Sequence, residues 1–399
     1  MSYRRRRDVA VESLRLFAIC GIAIFHTFQP FFNAYAYAQH GVATAWIGGG
    51  SAFVLGLISL LGATGNGIFF MISGFYLLPR LRSQAFQADY WHTQSRVLLR
   101  RVLVIFASVA LYTLIGVILT ACHVPVFVPG RSVKRWLVGG LEFIWLYLVF
   151  CALAPLIAWC AARISRRSSQ VVPLIVAGCC IAVIACNQWI AFADRGEFNR
   201  GFFDWRKLMS AATYFTAFLL AGLMGEHKNR IARYALPSLW TVSAIIVTLE
   251  VVAAIRASHA DVFLLGALSY KSTSALSYAL ATSLLAVACR SAIRHPAERV
   301  NEPEPVPAKV IRLLASSILG FYICQSLLFV PWHDFCVTVL GGIVARPLSA
   351  SPLPASAPFL FFLAGIGASL LYALVLMGYD LLIRRPIVRS LLRLSSAIN

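Results

Sequence analysis

The stretch Asp8-Val-Ala-Val-Glu12-Ser-Leu-Arg15-Leu-Phe-Ala-Ile-Cys20-Gly-Ile-Ala-Ile-Phe25-His26 is apolar enough to enter a bilayer, yet beyond Asp8 at its start it carries Glu12, Arg15 and His26. An α-helix turns about 100° per residue, so eleven steps return His26 to within roughly 20° of Arg15, about 16 Å further along the axis. Glu12 precedes Arg15 by three residues, on the same side, where the two charges can pair. Ionisable groups inside a membrane span are costly and point to function. The stretch therefore predicts a membrane helix with a charge toward one end and an imidazole toward the other.

The rest of the chain supports a membrane fold. Of 399 residues, 60% are hydrophobic and 13% charged, a composition outside the range of ordinary soluble domains. Apolar runs of about twenty residues, each able to cross a bilayer, recur near 9–32, 63–80, 98–121, 136–160, 171–192, 208–225, 237–256, 274–290, 312–331 and 358–383. The fold expected is an all-α integral membrane protein of about ten transmembrane helices, forming one domain over 1–399 with no appended soluble domain. A further apolar stretch at 43–61 reads either as a surface helix or as an extension of the second span across Gly62-Ala-Thr-Gly65-Asn66-Gly67. Residues 290–311, with Glu302-Pro-Glu-Pro-Val-Pro307, read as a cytoplasmic linker. The segment from Pro347 to Pro358 reads as an irregular outer loop.

The net charge of +20 invites a nucleic-acid reading, but its distribution argues against one. Most of the 35 Lys and Arg, including Arg4 to Arg7, Arg96, Arg100, Arg101, Arg163, Arg384 and Arg385, fall on the N-terminal side of the alternating spans. The positive-inside rule then puts both termini in the cytoplasm, as an even span count requires. Arg4 to Arg7, the apolar run and Ala34-Tyr35-Ala36 resemble a cleavable signal peptide. The length of the run and its buried charges argue that it is retained. The ten cysteines show no metal-like spacing, and Cys179, Cys180 and Cys186 read as small buried apolar residues.

Depth ranks the remaining polar candidates. His26 near the outer end of the first span and Glu142 near the outer start of the fourth lie at similar depth, and Gln325 is in the outer half of the ninth. A neutral histidine is the usual general base near pH 7, and a carboxylate such as Glu142 could hold its tautomer. Glu250 is a weaker candidate. Arg96, Arg100 and Arg101 open the third span where guanidinium groups could clamp phosphates or anchor lipid headgroups. The aromatic residues read mostly as bilayer-facing or interfacial.

Five segments together resemble the acyltransferase-3 family of bacterial membrane acyltransferases. Glu12-x-x-Arg15, ten residues and His26 are similar to its N-terminal Arg-x10-His signature. Asn66-Gly-Ile-Phe-Phe-Met-Ile-Ser73-Gly-Phe75 is similar to its second-span motif. Arg96 to Arg101 matches the basic entry to the third span, without the usual Arg-x-x-Arg spacing. Glu142-Phe-Ile-Trp145-Leu-Tyr147, continuing to Pro155, resembles the fourth-span motif. Ser317-Ile-Leu-Gly-Phe-Tyr322-Ile-Cys-Gln325 resembles the late Tyr-Leu-x-His motif, with Gln325 where histidine is common. A second catalytic imidazole is therefore not expected.

The resemblance implies transfer of an acyl group, often acetyl from acetyl-CoA, to a hydroxyl of an envelope glycan or another extracytoplasmic acceptor. It implies residence in a bacterial inner membrane. On this reading His26, Arg15 and Glu142 carry catalysis, and Arg96, Arg100, Arg101 and Ser73 hold the acyl-CoA. Glu12, Trp145, Tyr322 and Gln325 contact substrate. No tightly bound cofactor or metal is expected. The expected partners are the lipid bilayer, acyl-CoA and the glycan, with a homo-oligomer left open and nucleic acid excluded. Direct transfer and an acyl-His26 intermediate both remain open. The competing readings are a transporter or flippase whose buried charges line a path, and a membrane partner protein whose polar residues only hold helices together.

Overall fold

The structure, a computed structural model, describes residues 8–39, 42–128, 131–193, 205–269, 273–294, 305–345 and 356–390. Its long helices are α1 (Val9–Ala36), α2 (Gly49–Gln84), α3 (Tyr90–Ala121), α4 (Glu142–Ser165), α5 (Val171–Phe192), α6 (Trp205–Glu226), α7 (Lys228–Ser258) and α8 (Ala275–Arg294). Then come α9 (Val306–Ala315), α10 (Ile318–Leu327), the short α11 (Phe329–Phe335) and α12 (Ala357–Tyr379). Among the described residues 9 helices are long and apolar enough to cross a membrane, and α9 with α10, bent by 47° at their junction, makes a tenth. No strand occurs among the described residues. The protein is an all-α, multi-pass membrane protein.

Helix α2 is the centre of the bundle and packs against α1, α4, α6, α7 and α8. It runs for 36 residues without interruption, so the stretch at 43–61 largely extends the second span. The glycines read as a break are contact points instead. A Cβ on Gly65 would lie 2.8 Å from the Ala18 carbonyl oxygen of α1. Small residues let membrane helices approach this closely, where dispersion rather than the hydrophobic effect holds them. Gly74 does the same for α6, where a Cβ would meet the backbone of Phe218.

The described parts of the expected linker at 290–311 are helical: α8 reaches Arg294 and α9 begins at Val306, while 295–304 lie outside the described residues. Of the segment from Pro347 to Pro358, expected as an outer loop, residues 347–355 lie outside them too, and Ala357 already opens α12. Cys180 is buried, but Cys179 and Cys186 are exposed on α5 rather than packed inside. An outward apolar face costs nothing against lipid, so burial in the bundle is not needed there.

Many aromatic residues are internal rather than bilayer-facing. Phe143 and Tyr322 stack at 4.3 Å between centroids, Phe70 and Tyr214 at 4.7 Å. Phe69 lies 4.9 Å from Phe143, 5.1 Å from Tyr147 and 5.4 Å from Tyr322. Offset and edge contacts of this kind suit the ring quadrupole. They fill the space where α2, α4, α6 and α10 converge.

Beyond α12 a π-helical turn carries Asp380 and Arg384, both buried. Arg384 donates Nε and Nη2 to Asp380 and Nη1 to Ser108 Oγ of α3 (3.1 Å), and Arg385 Nε donates to Asp380 Oδ2 at 3.2 Å. The Asp380 carboxylate occupies the space a side chain at Gly320 of α10 would take. This network ties α12 to α3 and α10.

Candidate functional site

Helix α1 holds its two polar stations as the spacing requires. Asp8 caps it by accepting from Ala10 N at 2.9 Å, the role short acidic side chains fill at helix starts. One turn in, Arg15 Nη1 donates to both carboxylate oxygens of Glu12, at 2.8 and 2.7 Å. Glu12 is 0% exposed and the Arg15 side chain 15%. Arg15 uses one of its nitrogens for this contact, and a guanidinium presents five N–H donors.

Arg15 also lies near enough to Tyr147 of α4 to act on it electrostatically, as does Arg101. Arg101 is half-buried and also lies near enough to Cys151, one turn beyond Tyr147, to act on it electrostatically. Arg96 and Arg100 are exposed. The three arginines are thus not equivalent: Arg101 turns inward, toward the same tyrosine as Arg15. Ser73 is half-buried and its hydroxyl donates to Phe69 O at 3.0 Å, within its own helix.

His26 lines a cavity of about 300 Å³ with Asn66, Arg131, Gly139, Gly140, Phe143, Ile144, Tyr322, Gln325, Ser326 and Phe329. His26 Nδ1 lies 3.0 Å from Gln29 Oε1. A carbonyl oxygen can only accept, so Nδ1 carries the proton and Nε2 keeps its lone pair. Gln29, not Glu142, therefore sets the tautomer. Phe143 and Ile144, which follow Glu142 in the chain, form part of the cavity wall. The Glu142 side chain is not among the lining residues. Pro30 follows Gln29 and cannot donate to the His26 carbonyl four residues back, which loosens the helix at the histidine.

The opposite walls are fixed by long-range bonds. Tyr322 OH donates to Asn66 Oδ1 (3.0 Å), and Asn66 Nδ2 donates to Tyr214 OH (3.2 Å). A π-helical turn over Trp136–Gly140 brings two glycines to the wall before α4 begins. Trp136 Nε1 donates to Ser326 Oγ at 3.1 Å, and Ser326 Oγ to Gly140 O at 2.6 Å. Arg131 Nη2 donates to Ser326 O at 2.6 Å, with its guanidinium 4.8 Å above the Phe329 ring. Burial lowers the Arg131 pKa from the ordinary arginine value. Gln325 is 5% exposed, and its Nε2 is buried without a hydrogen-bond partner.

Of the expected site residues, the cavity unites His26, Tyr322 and Gln325. Arg15, bonded to Glu12, and Arg101 lie near Tyr147 instead. Trp145 stands apart: its indole donates to Leu137 O at 2.6 Å and its ring packs on Phe106. Glu250 is buried elsewhere, against Gly56 of α2 and 3.4 Å from Ser269 Oγ. Sequence reasoning missed Gln29, Asn66, Arg131 and Ser326 as site residues. The i, i+3 spacing from His26 was a usable signal for Gln29. The others meet His26 only through tertiary packing. Among the described residues no cluster of three or more metal-ligating side chains occurs.

The family model described as an acyltransferase domain matches residues 8–378, nearly the whole chain. No curated protein and no solved structure matches it.

Proposed function

We propose, for a chain that belongs to the acyltransferase domain family, that this membrane acyltransferase moves a short acyl group, acetyl first, from acyl-CoA on the cytoplasmic side to a hydroxyl of an extracytoplasmic glycan. The observation that carries the reading is His26, with Nδ1 held by Gln29 and Nε2 left as a base at a half-open cavity. The acceptor hydroxyl gives its proton to Nε2 as its oxygen attacks the thioester carbonyl. The carbon–sulfur bond then breaks, and the thiolate takes the proton from the imidazolium. Ester and free CoA leave, and the histidine is neutral again. A cavity of about 300 Å³ suits an acetyl end and one hydroxyl-bearing arm better than a long acyl chain.

The donor's phosphates are assigned to the basic end of the bundle. Arg101, turned inward beside Tyr147 and Cys151, is the first contact, and Arg15 the next. Arg96 and Arg100, exposed at the helix entrance, serve a lipid surface or the outer part of the nucleotide. The excess of basic residues on that side supports placing it, and both termini, in the cytoplasm of a bacterial cell.

The test is turnover per folded molecule for His26→Ala in purified protein with acetyl-CoA, reading CoA release. Removing a general base costs roughly 10²–10⁴ in rate. Loss of a structural imidazole would show as lowered thermal stability with turnover near wild type, and that result would remove His26 from the reaction.

A further inference from the structure

We propose that the side-chain amide of Gln325, together with the Arg131 guanidinium, binds the negative charge that develops on the acyl carbonyl oxygen in the His26 cavity. The inference rests on the acyl-transfer reading above. It adds the group that faces the oxyanion, which His26 cannot supply while it holds the acceptor's proton.

Three observations converge. Gln325 is 5% exposed and lines the cavity, and its Nε2 donor has no partner. Buried polar groups in native proteins are almost always hydrogen-bonded, so an orphan donor on a side chain that lines a cavity marks a group that a small turn of the side chain would pair with a ligand atom. Next, Arg131 is anchored to the carbonyl of Ser326, the residue following Gln325, and lies over Phe329. That anchoring uses Nη2 and fixes the cation one residue from the amide, with further N–H groups to spare. Last, the wall around them is rigid: Ser326 is bonded to Gly140 and Trp136, and Tyr322 to Asn66. Donors held in place before the charge forms need no reorganisation when it does, which is what makes such sites effective.

The chemistry of the two side chains fits this task. An amide donates a hydrogen bond without surrendering its proton, so Gln325 cannot act as a second base. When the acceptor oxygen bonds to the carbonyl carbon, the carbonyl π pair moves onto oxygen, where the amide and guanidinium N–H groups meet it. When the C=O re-forms, the C–S pair leaves with sulfur, and the proton comes from His26 alone. Proton traffic and charge stabilisation are thus divided between residues from α1 on one side and α10 with the 131–140 segment on the other.

The experiment uses the full chain in detergent with acetyl-CoA as donor and water as acceptor, following CoA release. Gln325→Leu should lower kcat by about 10²–10³ while leaving the KM for acetyl-CoA nearly unchanged. Gln325→His keeps a ring N–H donor and should recover most of the loss. Gln325→Glu has nearly the same shape but only acceptors when ionised, and should not. Should Gln325→Leu fail to fold, as judged by size exclusion and thermal unfolding, the His and Glu pair still decides. Equal turnover in Gln325→His and Gln325→Glu, or wild-type kcat in Gln325→Leu, overturns the assignment. If His26→Ala abolishes CoA release while Gln325→Leu does not, only this inference falls. If the wild type releases no CoA, the acyl-CoA reading falls and takes this inference with it.

Discussion

Replacing Gln29 by leucine removes the acceptor that holds His26 Nδ1–H and leaves the rest of α1 intact. The imidazole then has a partly buried N–H with no partner, and nothing favours the tautomer with its lone pair at Nε2. A lost hydrogen bond that leaves a buried group unsatisfied costs about 1–3 kcal/mol. Expressed wholly in the barrier, this is roughly a five- to 150-fold fall in turnover. Gln29→Leu should lower thermal stability by no more than this same cost of about 1–3 kcal/mol, so turnover is read per folded molecule. Gln29→Glu offers an acceptor of the same reach and should keep the Nδ1–H tautomer. The assay is CoA release from acetyl-CoA per folded molecule, with wild type, Gln29→Leu and Gln29→Glu prepared in parallel. Wild-type turnover in Gln29→Leu would refute the reasoning, since the tautomer would then not depend on this contact.

Two further outcomes follow from the geometry. Arg101→Ala should raise the KM for acetyl-CoA by about one to two decades, the worth of a charge-assisted phosphate contact of ~1.5–3 kcal/mol, and Arg100→Ala should raise it less, because Arg100 is exposed; equal effects would return both to a topological role. Asp380→Asn should destabilise by about 3–5 kcal/mol because it strands Arg384 and Arg385 together. Arg384→Gln should cost less, since Asp380 keeps Arg385, and thermal unfolding in detergent would count against the network if that order were reversed.

The spans were legible in the sequence because a bilayer imposes a length and a polarity that composition reports directly. The pairing of Glu12 with Arg15 and the shared face of Arg15 and His26 were legible because helical periodicity is local. The site was legible only in part. Tyr322 and Gln325 came with a motif, whereas Arg131 reaches the cavity through its bond to Ser326, 195 residues away. Nothing near Arg131 in sequence signals that partner. The glycine run at 62–67 misled because glycine has two uses: it permits a break, and it permits another helix to come close. The partial burial of Arg101 was hidden for another reason: it differs from exposed Arg100 by one helical step, and tertiary packing decides which face of the helix is covered.

The contacting rings of Phe69, Phe143, Tyr147 and Tyr322 run from Tyr147, near Arg101 and Arg15, to Phe143 and Tyr322 in the wall of the His26 cavity. On the proposed reading, the phosphates of the donor stay on the arginine side, and only a neutral arm ending in the acyl group passes between the rings. Moving one elementary charge through 100 mV is worth about 2.3 kcal/mol. A carrier that crossed whole would do work against the membrane voltage for each of its charges. A carrier that keeps its charges behind and hands forward an uncharged acetyl does none, so the export step is electrically silent and runs equally well in an energised or a depolarised membrane.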